Sequence, residues 1–189
     1  GDGLADVALF RYRTGEWFSA KMFPGAGDVY AYKQWGLPGD VAVPGDYNGD
    51  RITDYAVYRP SSATWFISMS GTDVQSGNGF GISGDIPAPG DFDGDGRWDP
   101  AVYRPSTGTF FYSSSVDGST VTIANLGAAG DVPVPCDYDG DSKFDPAVFR
   151  PTTGLWTVVN STTGTPQSTT LGTLGDLPVP GDYVGTAAC

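Results

Sequence analysis

Residues 89–95 read Pro-Gly-Asp-Phe-Asp-Gly-Asp, and this stretch returns three times along the chain of 189 residues. Residues 44–50 read Pro-Gly-Asp-Tyr-Asn-Gly-Asp, residues 135–141 read Pro-Cys-Asp-Tyr-Asp-Gly-Asp, and residues 180–185 read Pro-Gly-Asp-Tyr-Val-Gly. The leading aspartates follow one another at intervals of 45, 46 and 45 residues, at Asp46, Asp91, Asp137 and Asp182. A period this regular indicates one repeat protein of four copies rather than separate unrelated domains.

Outside this loop, each copy carries the same series of strand-forming segments. An Ala-Val-Tyr-Arg-like run is followed by an aromatic residue, a hydrophobic-Gly pair and a Gly-Asp turn. Short runs rich in Val, Tyr, Phe and Thr, bounded by Gly, Pro and Asp, are typical of β-strands. Four-stranded units that repeat every 40 to 50 residues, roughly, are typical of propeller blades. We therefore predict an all-β fold, a β-propeller of four four-stranded repeats.

The predicted repeats span residues 1–44, 45–89, 90–135 and 136–180 of a single domain over residues 1–189. Residues 1–6 resemble the second half of an Asp loop, and residues 182–185 resemble the first half of one. A closing strand over residues 177–185 would complete the sheet that the N-terminal segment starts. This pairing either closes a ring within one chain or joins one molecule head to tail with the next.

Each Asp loop places oxygen-bearing side chains at alternate positions, as a metal-binding loop does. These side chains occupy loop positions 1, 3, 5 and 9, and the residue at position 7 can offer its backbone carbonyl. Ca²⁺ takes about six to eight oxygen ligands, and Gly at position 4 allows a tight turn. The predicted ligands of the three complete loops are Asp46, Asn48, Asp50, Ile52 and Asp54; Asp91, Asp93, Asp95, Arg97 and Asp99; and Asp137, Asp139, Asp141, Lys143 and Asp145.

A fourth, split loop would combine Asp182 with Asp2, Leu4 and Asp6, but Val184 stands where position 3 requires an oxygen ligand. This fourth site is therefore either degenerate or filled. An EF-hand does not fit, because its twelfth position is a bidentate Glu. The three complete loops carry valine there, at Val57, Val102 and Val148. The other alternative is an empty acidic turn whose aspartates cap backbone N–H groups. Because such a turn would crowd unneutralised carboxylates, we predict three Ca²⁺ ions, with a fourth at the split loop as an option.

The order of the motifs resembles a known family. Phe80-Gly81 followed by Pro89-Gly90-Asp91, together with the Asp-x-Asp-x-Asp-x-x-x-Asp loops, resembles the FG-GAP/VCBS repeats of integrin-α-type β-propellers. The resemblance covers essentially the whole chain. It implies a propeller fold, calcium at the loop positions, and an extracellular role in adhesion, recognition or structure. The familiar members have more blades than the four repeats found in this chain.

The net negative charge of the chain disfavours some classes of binding partner. The chain has 22 acidic and 10 basic residues, a net charge of −12, and every acidic residue except Glu16 is Asp. Nucleic-acid binding requires a positive surface, and an anionic membrane also repels this charge. No apolar run is long enough for a transmembrane span. We expect an extracellular or cell-surface location, where calcium is abundant, with an extracellular protein or glycan as partner, or self-association.

The sequence does not favour an enzyme. Histidine, the commonest general base, is absent. Most aspartates belong to the Asp loops or to the recurring Gly-Asp turn, which leaves no marked carboxylate pair for glycoside hydrolysis. We therefore predict no catalytic residue.

Two recurring sets of residues allow a functional and a structural interpretation. The arginines could form an anion-binding ring or pair with the turn aspartates; they are Arg11, Arg59, Arg104 and Arg150. The aromatic residues could serve a lectin-like module, or an accessory domain of a polysaccharide-degrading enzyme, or they could pack between sheets; they are Trp17, Trp65, Phe110 and Trp156. We favour the structural interpretation of both sets. A filament subunit assembled head to tail is the other alternative function. Cys136 and Cys189 fit a disulfide within one chain or between chains.

Overall fold

A computed structural model describes residues 6–21, 30–72, 74–181 and 183. These residues form fifteen β-strands and no helix, so none of them belongs to a helix that could cross a membrane. The strands are β1 (Val7–Arg11), β2 (Glu16–Ala20), β3 (Tyr30–Gln34), β4 (Val41–Ala42), β5 (Tyr55–Arg59), β6 (Thr64–Ser68), β7 (Gln75–Gly79), β8 (Ile86–Pro87), β9 (Ala101–Arg104), β10 (Thr109–Ser113), β11 (Thr120–Ile123), β12 (Val132–Pro133), β13 (Ala147–Arg150), β14 (Leu155–Val159) and β15 (Pro166–Thr170).

The strands form four antiparallel sheets that follow one another along the chain. The second, third and fourth sheets each contain four consecutive strands, β4–β7, β8–β11 and β12–β15, and each begins with a two-residue strand at its edge. The first sheet contains β1, β2 and β3 among the described residues, so β1 lies at its edge. The predicted all-β fold is confirmed at the level of four successive antiparallel sheets, with four strands in three of them.

The two central strands of each sheet come from the Ala-Val-Tyr-Arg-like run and from the aromatic segment after it. Aromatic and β-branched residues favour a pleated, half-buried surface, and alternate residues face opposite sides of the sheet. In the second sheet, Tyr58 of β5 lies opposite Trp65 of β6, with ring centroids 5.2 Å apart. Both side chains are fully buried. This cross-strand pair therefore fixes the hairpin register and forms part of the core.

The core lies between consecutive sheets. Val102 of β9 belongs to the hydrophobic cluster of the second sheet, where it joins Trp65. Val148 of β13 belongs in the same way to the cluster of the third sheet, where it joins Phe110. The third and fourth sheets therefore each place one valine of a central strand in the hydrophobic cluster of the sheet before them.

The recurring aromatic residues are core residues in the first three sheets. Trp17 is 4% exposed, and Trp65 and Phe110 are fully buried. Trp156 of the fourth sheet is half-buried, and it packs with Phe149 at 4.9 Å between ring centroids. The packing interpretation of these aromatic residues is therefore confirmed for three of the four.

The recurring arginines pair with the recurring turn aspartates, as the structural interpretation predicts. Arg104 donates from Nε and Nη2 to the two carboxylate oxygens of Asp85, at 2.8 and 2.9 Å. The Asp85 side chain is 1% exposed and also accepts the Ile82 N–H. The equivalent pairs are Arg59–Asp40 and Arg150–Asp131. Arg11 differs, because its half-exposed side chain pairs with Glu16 of the neighbouring strand.

A glycine precedes two of the Asp loops because an aromatic ring of the next loop covers it. A Cβ atom on Gly45 would lie 2.2 Å from the Trp98 ring, and one on Gly90 would lie 2.1 Å from the Phe144 ring. Cys136 takes this position before the third complete loop, where it is buried and disulfide-bonded. The other cysteine, Cys189, lies outside the described residues. At Gly45 and Gly90 the covering ring therefore leaves no room for a larger side chain.

The predicted closing strand over residues 177–185 is not formed in its described part. Residues 177–181 belong to no strand and pair with no other described segment, and Leu177 is 85% exposed. The edge strand β1 is also open, since Leu9 is 56% exposed whereas the equivalent Val102 is fully buried. Most of the terminal residues that would make the predicted closing pair, residues 1–5, 182 and 184–185, lie outside the described residues, so closure by the N- and C-terminal segments stays a prediction.

Candidate metal centres

The three complete Asp loops join the first two strands of the second, third and fourth sheets. An isolated bridge closes the base of each loop, as between Gly90 and Asp99 in the third sheet. Asp91, at loop position 1, accepts the Gly94 N–H at 2.6 Å and the Gly96 N–H at 2.9 Å, so its carboxylate organises the turn. Gly94 has φ +81°, a conformation that favours glycine. The sequence of the loop therefore encodes its own tight turn.

The aspartate at loop position 9 is tied to two neighbouring segments. Asp99 accepts the Phe92 N–H at 2.9 Å and the Ser115 N–H at 2.7 Å, and Ser115 follows β10 in the same sheet. Asp54 and Asp145 make the corresponding two bonds in the other loops. This carboxylate therefore joins the loop to the hairpin behind it, and it does so at a fully buried position.

The loop carboxylates converge in two of the three complete loops. Oxygen atoms of the aspartates at positions 1, 3 and 9 lie within 4.8 Å of one another, and these residues are Asp91, Asp93 and Asp99, and Asp137, Asp139 and Asp145. A carboxylate offers about four lone-pair directions, so oxygens that accept backbone N–H groups can still bind a cation. Both triads therefore have the spacing and the chemistry of a site for a hard cation.

The electrostatics of these triads is unfavourable without a cation. Asp54, Asp99 and Asp145 have no exposed surface, and in the part of the chain that the structure describes none of them forms an ion pair with a basic side chain. Burial raises the pKa of Asp99 to about 6, and it also raises the pKa values of Asp91 and Asp145. Buried charges in proteins are normally paired, protonated or bound to a metal, so these carboxylates could hold a compensating cation.

The aspartate at loop position 5 lies apart from the two triads and contacts a serine hydroxyl. Asp95 accepts the Ser115 hydroxyl at 3.0 Å and the Arg97 N–H at 2.8 Å. Asp50 and Asp141 accept the corresponding hydroxyls of Ser70 and Ser161 at 2.8 Å. These serines carry no motif of their own in the sequence and were not predicted as site residues. Their constant offset of 20 residues from the position 5 aspartate was the available signal.

The first complete loop makes the same backbone hydrogen bonds as the other two loops but has one carboxylate fewer. Asn48 replaces Asp at position 3, accepts the Asp50 N–H at 2.9 Å and donates to the Asp50 carboxylate at 3.2 Å. Asp46 and Asp54 occupy positions 1 and 9 and make the same backbone contacts as in the other loops. This loop therefore offers an amide oxygen in place of one charged ligand.

The residues at position 7 place their N–H groups on the position 5 carboxylates. Ile52, Arg97 and Lys143 each donate this bond at 2.8 Å. The Arg97 and Lys143 side chains lie over the glycine of the preceding loop, at Gly49 and Gly94, so adjacent loops pack on one another. Coordination by the carbonyls of position 7 stays a prediction.

The split loop is described only at Asp6, which is exposed and precedes β1. Its other predicted ligands, Asp2, Leu4 and Asp182, lie outside the described residues.

The raised pKa of Asp99 predicts opposite pH dependences for the metal-free and calcium-loaded protein. Without metal, this carboxylate ionises at about pH 4 in the unfolded chain but only at about pH 6 in the folded protein. Its protonated form therefore favours the folded state, and this contribution to the free energy of unfolding is lost as pH rises from about 4 to about 6. With saturating Ca²⁺, the cation favours the ionised carboxylate, so stability should rise over the same range. Denaturant unfolding at pH 4, 5, 6 and 7, roughly, with and without calcium, measures both slopes. Equal slopes would contradict a cation site at Asp99.

Comparisons of the chain with protein-family models, with curated proteins and with solved structures find no match.

Proposed function

We propose that this protein is an extracellular, calcium-binding β-propeller that serves as an adhesion, recognition or structural module. The observation that carries the proposal is the set of fully buried aspartates at loop position 9, which form no ion pair with a described basic residue; two of them have carboxylate oxygens within 4.8 Å of those of two further aspartates. In this proposal Ca²⁺ supplies the missing positive charge at each complete loop. The ion would then hold the loop against the hairpin that carries Ser70, Ser115 or Ser161.

The ligand chemistry favours calcium over other metals. The two triads offer only carboxylate oxygens, and the sequence contains no histidine. Soft or borderline ions such as zinc prefer nitrogen and sulfur ligands, whereas Ca²⁺ prefers many oxygen ligands in a flexible arrangement. Mg²⁺ requires a stricter octahedron and retains water ligands. A loop that offers several aspartate oxygens therefore suits Ca²⁺ best.

The packing of the sheets supports the propeller. The same contact, a central-strand valine inserted into the hydrophobic cluster of the preceding sheet, is made by Val102 and by Val148. Because the same contact recurs, the third and fourth sheets are packed on their preceding sheets in the same way, as successive blades of a propeller are. Calcium would make this scaffold rigid, and the surfaces and loops of a rigid scaffold are well suited to recognition.

Calorimetric titration of chelator-stripped protein with CaCl₂ tests the proposal. We expect two or three sites, depending on whether the Asn48 loop binds, and a gain of about 2.7 kcal/mol in unfolding free energy per site at 100 times Kd. A Kd of about 0.1–1 mM would fit an extracellular module, whereas a much tighter Kd would fit a cytosolic buffer. MgCl₂ at the same concentration is the control. Absence of both the heat of binding and the stabilisation would refute calcium binding.

A further inference from the structure

We propose that the cavity between the third and fourth sheets binds one saccharide ring of a glycan. The inference rests on the recognition role proposed above and names the class of ligand that this role would serve. Four features of the cavity carry it: the apolar lining, the departure of that lining from the repeat, the unused polar groups, and the balance of charge.

The cavity has a volume of about 300 Å³, at the lower end of the range for small-molecule pockets. Two rings of the third sheet line it, those of Phe92 and Tyr112, and they stack with centroids 4.9 Å apart. Phe144 of the following Asp loop adds a third ring, 6.1 Å from that of Phe92. Ile123 and Val159 also belong to the lining. These side chains provide contact area for an apolar face of a ligand.

The third sheet departs from the repeat in the position of a phenol hydroxyl. At loop position 2, Tyr47 and Tyr138 each donate their hydroxyl to a backbone carbonyl at 2.8 Å, whereas the third sheet has Phe92 there. The third sheet carries its phenol instead at Tyr112 of β10, in the lining of the cavity. The equivalents of Tyr112 in the second and fourth sheets are aliphatic, and they are Ile67 and Val158. Because those sheets form without this hydroxyl, the fold itself does not require it.

The ring at Phe144 is a second departure from the repeat. Its equivalent in the preceding Asp loop is Trp98, which lies over Gly45 as Phe144 lies over Gly90. A phenylalanine ring is smaller than an indole, so this difference leaves additional space between the third and fourth sheets. The two departures together give one cavity both room for a ligand and a hydroxyl that can contact it.

Several polar groups of the lining are not used within the described part of the chain. The Tyr112 hydroxyl and the Lys143 ammonium form no hydrogen bond or ion pair with a described residue. The Asn160 side-chain oxygen accepts the Thr163 N–H and hydroxyl, at 2.9 and 3.0 Å, which leaves the amide nitrogen available as a donor. Asp93 adds a carboxylate, whose lone pairs exceed those it uses within its loop. The cavity therefore offers three donors and one acceptor to a ligand.

The charges of the lining favour an uncharged ligand. Lys143 and Asp93 bring opposite charges to the same cavity, so neither a cation nor an anion meets a field of one sign. A saccharide ring fits this lining, because its C–H groups form an apolar face and its hydroxyl groups both donate and accept hydrogen bonds. An aromatic side chain of a protein partner would fill the apolar part but would leave the donors without partners, which costs free energy.

Saturation-transfer NMR on the full chain, with the methyl glycosides of glucose, galactose and mannose as probes, tests the proposal. We expect at least one of them to bind with a Kd of about 1 mM, as a small ligand with few contacts does. Phe144→Trp introduces the ring found at Trp98, so it should fill the cavity and weaken binding by about 10-fold or more. Tyr112→Phe removes one donor and should weaken binding by about 5- to 10-fold. Tyr12→Phe is the matched control, since Tyr12 is exposed in the first sheet, and it should behave as wild type.

Three results would overturn the proposal: no binding of any of the glycosides, glycoside binding that neither cavity variant weakens, or binding of choline, glucuronate or an aromatic peptide in place of the glycosides. Cooperative thermal unfolding of each variant shows that it is folded, so a loss of binding then reports on the cavity. Calcium titration of the same samples keeps the two hypotheses apart. Calcium binding without glycoside binding would refute only the saccharide site, and glycoside binding without calcium binding would refute only the metal sites.

Discussion

Arg104→Met should destabilise the protein by about 3 kcal/mol or more, because it leaves a buried carboxylate without its partner. Asp85 has a side chain that is 1% exposed, and Arg104 donates two hydrogen bonds to it. Methionine keeps an apolar side chain of similar length but removes the guanidinium group, whose carbon lies 4.5 Å from the centroid of the Phe111 ring. Denaturant unfolding at low protein concentration measures the loss of free energy.

The equivalent position of the first sheet provides the control for this prediction. Arg11→Met removes an exposed pair with Glu16 and should cost less than about 1 kcal/mol. A double variant, Arg104→Met with Asp85→Leu, should recover part of the loss, because no buried charge remains unpaired. A cost for Arg104→Met as small as that of Arg11→Met would show that the pair contributes little to holding the edge strand.

Asp99→Asn should have a small effect on the metal-free protein and a large effect on the calcium-loaded protein. Without calcium, the change removes an uncompensated buried charge but places an amide nitrogen near the Phe92 or Ser115 N–H, so we expect a net effect within about 1 kcal/mol. With calcium at 100 times Kd, loss of one site should remove about 2.7 kcal/mol of stabilisation. Calorimetry should show one bound ion fewer.

A surface aspartate outside the loops is the matched control for Asp99→Asn. Asp117 is exposed and accepts one backbone N–H from Ser119. Asp117→Asn makes the same change in charge and should alter neither the number of bound ions nor the calcium-dependent gain. If Asp99→Asn lowers the stability equally with and without calcium, its role is only to cap backbone N–H groups, and the loop is an acidic turn.

Local sequence patterns predicted the strands, the loops, the ion pairs of most recurring arginines and the burial of most recurring aromatic residues. The Ala-Val-Tyr-Arg-like runs became β5, β9 and β13, and each of their arginines pairs with a turn aspartate. The reason is that the arginine and the turn aspartate each recur once per sheet, so residues that occupy the same place in successive repeats also occupy the same place in successive sheets. The serines that contact the position 5 aspartates were missed, since Ser70 and its equivalents belong to a hairpin 20 residues away. The signal that a single sequence offers for this contact is the repeated offset of 20 residues, which no local pattern reveals.

The sequence by itself determined the repeat, the strand segments, the turn-forming Asp loops and the oxygen-rich chemistry of the candidate sites. These depend on residue type and short spacing, which act through backbone propensity and side-chain alternation. The tertiary structure decided which carboxylates converge and which are buried: positions 1, 3 and 9 form the triads, whereas position 5 turns to a hydroxyl. It also decided that β1 and residues 177–181 do not pair with each other in the structure described. Both outcomes depend on which segments come into contact, and the packing of whole sheets against one another determines those contacts.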